Sequence, residues 1–404
     1  MSQSSSRHIV KWIVLIFTPI IYYQCYMYVG FNQNYTKMLL FATSAILIVK
    51  YLKDLLFKKY ERDSYSNFFK RYFIVILISY LMALVVWDQL PHYTFRAENT
   101  IFVMLYYFIL KQYKVDEKDL NKIICIFATI YAILWLYALT QAPRVVFGNL
   151  ESLNDNRGFY RITMLKGLDF LALFYFYSLY KTVIQKNRNI IWTILCIASY
   201  ILIVLSLTRT LILASTFITV VLILRRRPVL AFILGVILSF GGLNLISQNK
   251  VVSSMMDLTE SQQDNANKDE LVIRNEEYSL YLELFPLHPL TTTFGNGPAH
   301  RQTSYGEFEN RNKEIYKFHR DDAGYICILT TFGVVGLLLF LWLLRKVYRQ
   351  KVPDNYLQYK LFVFYLFIIN YTAQYCIYYG AALTLSIYAL ELARVKSKQQ
   401  NQLK

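Results

Sequence analysis

Charge is scarce in this sequence. Only 17% of its 404 residues are Asp, Glu, Lys or Arg, against 56% hydrophobic, where a soluble domain of this length carries roughly a quarter charged residues. That balance argues against a soluble globular protein. Cysteine is sparse and scattered: Cys25, Cys125, Cys196, Cys327 and Cys376 all lie in or beside apolar segments. None forms a CxxC pair or has a histidine at ligand spacing, so neither disulfides nor a metal site is expected, and no cofactor. Glycine and proline are few inside the apolar runs, and no file of carboxylates crosses them. Both absences weigh against an ion-coupled transporter. No internal repeat is visible. A cleavable signal peptide is not expected either, because the run from Ile9 to Val29 is too long for a signal core and no small-residue cleavage site follows it.

What is present is apolar sequence in blocks of about 17 to 22 residues, the length that crosses a bilayer as helix. The blocks predict about twelve helices, at 9–29, 38–50, 72–88, 99–111, 122–141, 162–180, 190–207, 211–224, 229–247, 323–344, 357–374 and 377–393. The second extends through Tyr51 to Phe57, and the turn between the last two falls around Gly380. The expected fold is therefore an all-α polytopic membrane protein of about twelve transmembrane helices, with a large extracytoplasmic loop between the ninth and tenth. Residues 1–247 carry helices one to nine, 248–320 the loop with an amphipathic helix, and 321–404 helices ten to twelve with a basic cytoplasmic tail.

The formal charge of +17 would suggest nucleic acid in a soluble protein. Here the basic residues gather in alternate short loops, so no nucleic-acid partner is expected; membrane lipid is. With the N-terminus in the cytoplasm, the inner segments hold 28 of the 43 Lys and Arg, the long loop eight and the other outer segments seven. A shift by one helix destroys that bias, so an even number of spans with both termini cytoplasmic is expected. The 35 tyrosines and 28 phenylalanines suit headgroup-level belts and helix packing.

The long loop is polar but patterned. Ser261 to Lys268 reads as linker. Leu271 to Leu287 places Ile273, Tyr278, Tyr281, Leu282 and Phe285 at helical spacing, an amphipathic helix on the membrane face. His288-Pro289 stops it, and Gly295-Asn296-Gly297-Pro298 makes a tight turn.

Charge inside spans is confined to Lys166 and Asp169, three apart and able to meet on one helix face. They read either as a mutual structural pair or as a substrate contact. Other charge collects at the outer face: Arg157 and Arg161, Arg209 within Ser206-Leu207-Thr208-Arg209-Thr210, Arg274, and the run His319, Arg320, Asp321, Asp322. One arginine at a membrane edge usually reaches for headgroups. Four arginine positions converging against the positive-inside bias suit a diphosphate, whose oxygens match guanidinium forks. An acidic or imidazole group beside them can act as general base.

The order of these features resembles the O-antigen ligase and polysaccharide polymerase superfamily of bacterial envelopes. That superfamily has an arginine at the outer end of a helix in a Ser-x-[Ser/Thr]-Arg context and a loop with an Arg-led helix and a Gly-x-Gly turn. A His or Asp then precedes a helix of the form Tyr-Leu-x-x-Leu-x-x-x-Gly-x-x-Gly. The matching stretches are Ser206 to Arg209, Arg274 to Leu287, Gly295 to Gly297, and Tyr325 to Gly336. Ligases carry His-Asn just before the aromatic; here that position is Asp322-Ala323, with His319 three residues earlier.

The resemblance implies a metal-independent glycosyltransferase of the multi-span class in the bacterial plasma (inner) membrane. Its implied substrate is a polyprenyl-diphosphate-linked oligosaccharide, with a flippase and a chain-length regulator as pathway partners. An acceptor hydroxyl attacks the anomeric carbon and polyprenyl diphosphate leaves. Arg209, with Arg161 and Arg274, would steady the diphosphate, and Asp322, or else His319, would take the proton. Arg157, Lys166 and Tyr325 complete the expected substrate contacts. The alternative for Asp322 is that it merely N-caps the tenth helix. Polymerisation of repeat units into a capsule, exopolysaccharide or O-antigen is the expected function. A ligase acting on finished polymer and a lipid-linked sugar exporter are its rivals.

Overall fold

The structure is a computed structural model that describes residues 3–148, 166–185, 189–206, 208–226, 270–284, 288–316 and 320–402. Among these residues the chain is helical, and the only β contact is the isolated bridge between Tyr28 and Phe147. The helices are α1 (Gln3–Tyr22), α2 (Gln33–Leu56), α3 (Ser66–Trp87), α4 (Pro91–Ala97), α5 (Tyr106–Gln112), α6 (Glu117–Thr140), α7 (Leu168–Leu179) and α8 (Ile190–Leu205). They continue with α9 (Arg209–Arg226), α10 (Glu270–Leu284), α11 (Pro289–Phe294), α12 (Ser304–Tyr316), α13 (Gly324–Arg349), α14 (Leu357–Ile369) and α15 (Gly380–Gln402).

Local chemistry sets several of the starts. The side chains of Asn32, Asp116 and Asn189 accept from Asn34, Asp119 and Ile191 backbone N–H groups at 2.8–3.0 Å, satisfying donors that a first turn leaves unpaired. Pro289 opens α11, where a missing N–H costs nothing, and His288 caps it.

Eleven of the twelve expected spans coincide with helical segments; the ninth, at 229–247, lies outside the described residues. Three helices among the described residues are long and apolar enough to cross a membrane: Ser66–Trp87, Glu117–Thr140 and Gly324–Arg349. His8–Tyr22 and Ile190–Leu205 are shorter apolar helices. The fourth expected helix is built as a 3₁₀ segment, Asn99–Leu105, running into α5. The last two are parted by turns from Asn370 and one short helix, Tyr375–Tyr378, with α15 beginning at Gly380.

Aromatic packing forms much of the interior. Phe127 stacks on Phe170 at 4.5 Å and Phe69 on Tyr107 at 4.4 Å, and the Phe68 and Tyr72 rings meet Phe340 edge-on. Polygonal faces of this kind contribute beyond their buried area. By contrast, Ile190, Ile194, Ile197 and Ile201 on α8, and Leu213, Phe217 and Leu224 on α9, point outward. Apolar side chains that face out in such continuous stripes are suited to lipid rather than water. The protein is an integral membrane protein of all-α architecture.

The two ends of the bundle differ in chemistry. At one end Arg394 bridges Glu61 and Glu391 at 3.0 and 2.8 Å, Arg226 pairs with Asp354 at 2.9 Å, Lys396 with Glu117 at 3.3 Å, and Lys11 with Asp119. The segments richest in Lys and Arg therefore meet there. The helix α3 begins at that end, where Tyr65 N–H donates to Glu391. It rises 22 residues, about 33 Å at 1.5 Å per residue, to Trp87, whose indole N–H donates to Asn296 of the loop at 3.0 Å. The candidate site lies at this second end.

Candidate functional site

The site rests on a break in α13. Gly333 has φ 68° and ψ −176°, a conformation essentially confined to glycine, so the helical hydrogen bonds of the preceding turn are lost. The freed carbonyls are taken up by the loop. Thr330 O accepts from Asn296 N at 2.8 Å, and Thr331 O from Gly297 N at 3.0 Å and from the Ser79 hydroxyl at 2.5 Å. Gly295 (φ 83°) permits the approach: a Cβ there would lie 2.1 Å from Thr331 O, and one on Gly333 would lie 2.2 Å from Thr293 O. The Gly-x-Gly turn and the Gly-x-x-Gly helix are thus two halves of one backbone joint. It pins the loop to α3 and α13.

Beyond the joint the loop builds a polar cluster over the start of α13. Arg320 donates to Glu309 of α12 at 2.5 Å and to the Tyr305 hydroxyl at 3.4 Å, and Tyr305 stacks on Trp87 at 4.5 Å. Burial alone would lower the Arg320 pKa, but the facing Glu309 outweighs it and keeps the guanidinium charged. Asp321 is held on both oxygens: Gln374 Nε2 donates to Oδ1 at 2.9 Å and the Tyr378 hydroxyl to Oδ2 at 3.0 Å. Gln374 in turn accepts from Cys327 Sγ at 3.0 Å and donates its backbone N–H to Asp321 O at 3.2 Å. Glu98, just after α4, accepts from the Thr100 hydroxyl and shares the electrostatic field of Asp321, Lys166 and Arg320. Burial pushes its carboxyl up; the Thr100 hydrogen bond opposes this and Asp321 adds to it.

The residues expected to carry chemistry are distributed as follows. Asp322 ends a 3₁₀ turn, Arg320–Asp322, and is exposed beside the held Asp321. It does not cap α13, whose N-cap is Ala323 with no side-chain cap. Arg209 is the first residue of α9 and is exposed. Its neighbour Thr210 meets the Thr372 hydroxyl at 3.2 Å, so Arg209 and Asp321 attach to the same segment, 370–378. Tyr325 donates to Phe367 O at 2.6 Å, a bond that ties α13 to α14. Lys166 and Asp169 do not pair. The Tyr23 hydroxyl takes the buried Asp169 carboxylate, while Lys166 feels the charge of Glu98. Their three-residue spacing assumed continuous helix, but Gly167 has φ 101° and α7 starts only at Leu168. The backbone at Arg274 belongs to α10, with its side chain outside the described residues, as are Arg157, Arg161 and His319.

Sequence reasoning missed Glu98, Glu309, Gln374 and Tyr378. A signal existed for Glu98, an acidic residue at the expected outer edge of a span where nothing calls for one. The others are set by tertiary contact alone.

A model of the O-antigen ligase family matches residues 194–341. That stretch runs from α8 through α9 and the loop to α13, and so contains Arg209, the glycine joint and the Arg320–Asp322 turn. No curated protein matches the chain. Over residues 194–341 the chain is similar to the O-antigen ligase family, which supports its resemblance to the O-antigen ligase and polysaccharide polymerase superfamily.

Proposed function

We propose that the protein is a polymerase that joins polyprenyl-diphosphate-linked oligosaccharide repeat units into a surface polysaccharide at the outer face of the bacterial plasma membrane, with both termini cytoplasmic. The acceptor sugar hydroxyl attacks the anomeric carbon of the donor chain. The bond to diphosphate breaks, and the proton passes to a carboxylate. Arg209, joined by Arg161 and Arg274, would meet the charge developing on the leaving diphosphate, with Arg157 and Lys166 as further contacts. Such preorganised charge is the largest contribution in many enzymes.

The observation that carries this reading is Asp322 at the end of the Arg320–Asp322 turn, in the Asp322-Ala323 position where a ligase would have His-Asn. Asp321 has both oxygens engaged by Gln374 and Tyr378, which makes it a positioning residue. Asp322 follows it on the same turn, exposed as Asp321 is, and is our first candidate for the group that takes the hydroxyl proton, with His319 as the second. A flippase and a chain-length regulator would act beside the enzyme in the same pathway.

The second reading is a ligase that transfers finished polymer, with which the family match is equally compatible. Cells lacking the protein separate the two. A lipid carrying a single repeat unit is the result expected for a polymerase; long polymer left unattached to its acceptor would show a ligase.

A further inference from the structure

A second charged surface stands beside the site and takes no part in the chemistry above. It is formed by α4 and the turn that follows the glycine joint. His92, Arg96 and Arg301 are exposed, and Tyr93 and His300 half-buried. The Tyr93 ring packs against both imidazoles, with centroids 4.1 Å from His92 and 4.9 Å from His300. No ion pair engages Arg96 or Arg301 among the described residues, and the charged groups that bear on His300 are all basic: Arg96, Arg301 and His92. Burial first, and then these three, lower its pKa.

The arrangement is rigid because a buried glutamine staples its two arms. The Gln89 side-chain amide donates to the Thr94 hydroxyl and to Pro298 O, both at 2.8 Å, and its oxygen accepts from His300 N at 2.9 Å and the Thr303 hydroxyl at 2.8 Å. Gly306 closes the turn from behind, where a Cβ would come within 2.2 Å of His300 O. Uncompensated like charges held together in this way destabilise a fold unless an anion offsets them. Positive charge here also opposes the asymmetry that anchors the chain in the membrane.

We infer that His92, Tyr93, Arg96, His300 and Arg301 form a binding platform for a carboxylate-bearing polysaccharide, the acidic chain that the enzyme extends. Arginine forks match carboxylates, while the exposed His92 ring offers a flat surface to a sugar ring. Glu98 lies two residues beyond Arg96 and shares the field of Asp321 and Arg320. The platform therefore adjoins a group that feels the charge of the reactive turn. The assignment of an acidic chain rests on the polymerase reading, but binding can be measured without turnover.

The full-length protein in lipid nanodiscs is titrated with a hexameric oligogalacturonate and, separately, with a neutral maltohexaose, at low and moderate salt. The acidic hexamer is expected to bind more tightly, with affinity falling as salt rises. Arg96→Gln with Arg301→Gln should weaken it roughly tenfold or more, while the paired lysine variants keep part of it. Arg345→Gln with Arg349→Gln, at the opposite end of the bundle, should leave it unchanged. Equal binding of the two hexamers, or no loss in the double glutamine variant, would overturn the inference. So would displacement of the acidic hexamer by inorganic phosphate at comparable concentration, which would make the platform a phosphate clamp. Polymerisation failing in some other assay would not alter these binding results.

Discussion

At the residue scale, the proposed function asks most of Arg209. It begins α9, where helix N–H groups already favour negative charge, and its segment is joined to that of Asp321 through Thr372. Arg209→Ala is expected to insert normally and to lose roughly 10²- to 10³-fold in rate, the usual cost of removing one transition-state charge contact. Arg209→Lys should recover little, because an ammonium cannot reproduce the planar fork; near-normal polymer from that variant would reduce Arg209 to a headgroup anchor. The two adjacent aspartates should separate. Asp322→Asn removes no helix cap, since Ala323 occupies that position, and is expected to abolish turnover with the fold intact. Asp321→Asn keeps one acceptor for Gln374 or Tyr378 and should retain partial activity, with kcat lowered and KM little changed. Wild-type polymer from Asp322→Asn, alongside none from His319→Ala, would move the base to His319. Residue types, and which segments share an end of the bundle, could be read before the structure. Their partners could not: Tyr325 looks like a site aromatic in sequence, yet its hydroxyl is spent on Phe367 O.

At the element scale, the helices were legible because bilayer-length apolar runs have few other solutions. The loop was legible in part. A helix, α10 (Glu270–Leu284), stands where Leu271 to Leu287 was expected to be helical, and the glycine turn lies at 295–297, but α12 (Ser304–Tyr316) carries Glu307, Glu309, Arg311, Lys313 and Glu314 and shows too little apolar periodicity to announce itself. Its buried contacts, Tyr305 on Trp87 and Glu309 on Arg320, come from tertiary structure. The purpose of the glycines was likewise hidden, because a joint between residues 295–297 and 330–333 requires both segments in place. Gly295→Ala and Gly333→Ala should each cost about 1–3 kcal/mol from backbone conformation alone, before the overlap of the new Cβ with a carbonyl 2.1–2.2 Å away. Both are expected to lower the thermal midpoint and remove activity. Unchanged stability in Gly333→Ala, measured by thermal unfolding in detergent, would show that the break in α13 is not needed.

At the scale of the whole molecule, alternation of basic and neutral loops predicted which chain segments share an end, and the ion pairs Arg394–Glu61, Arg226–Asp354 and Lys396–Glu117 join segments from the basic set. The side of the membrane on which that end lies follows from the positive-inside rule. Single cysteines at Ser261 and at Arg226, in a background without native cysteine, should differ in labelling by an impermeant reagent applied from outside: Ser261→Cys reacts and Arg226→Cys does not. Labelling of both from one side would overturn the topology and, with it, an outward-facing site.

Reconstitution tests whether the loop-bearing end of the bundle extends a lipid-linked chain. Purified protein in liposomes is given polyprenyl-diphosphate-linked repeat units as the sole substrate, and the products are resolved by length. A ladder of lipid-linked chains that lengthens with time and disappears in Arg209→Ala and Asp322→Asn is expected. Unchanged single repeat units with wild-type protein, together with transfer of preformed polymer to an added acceptor, would contradict it.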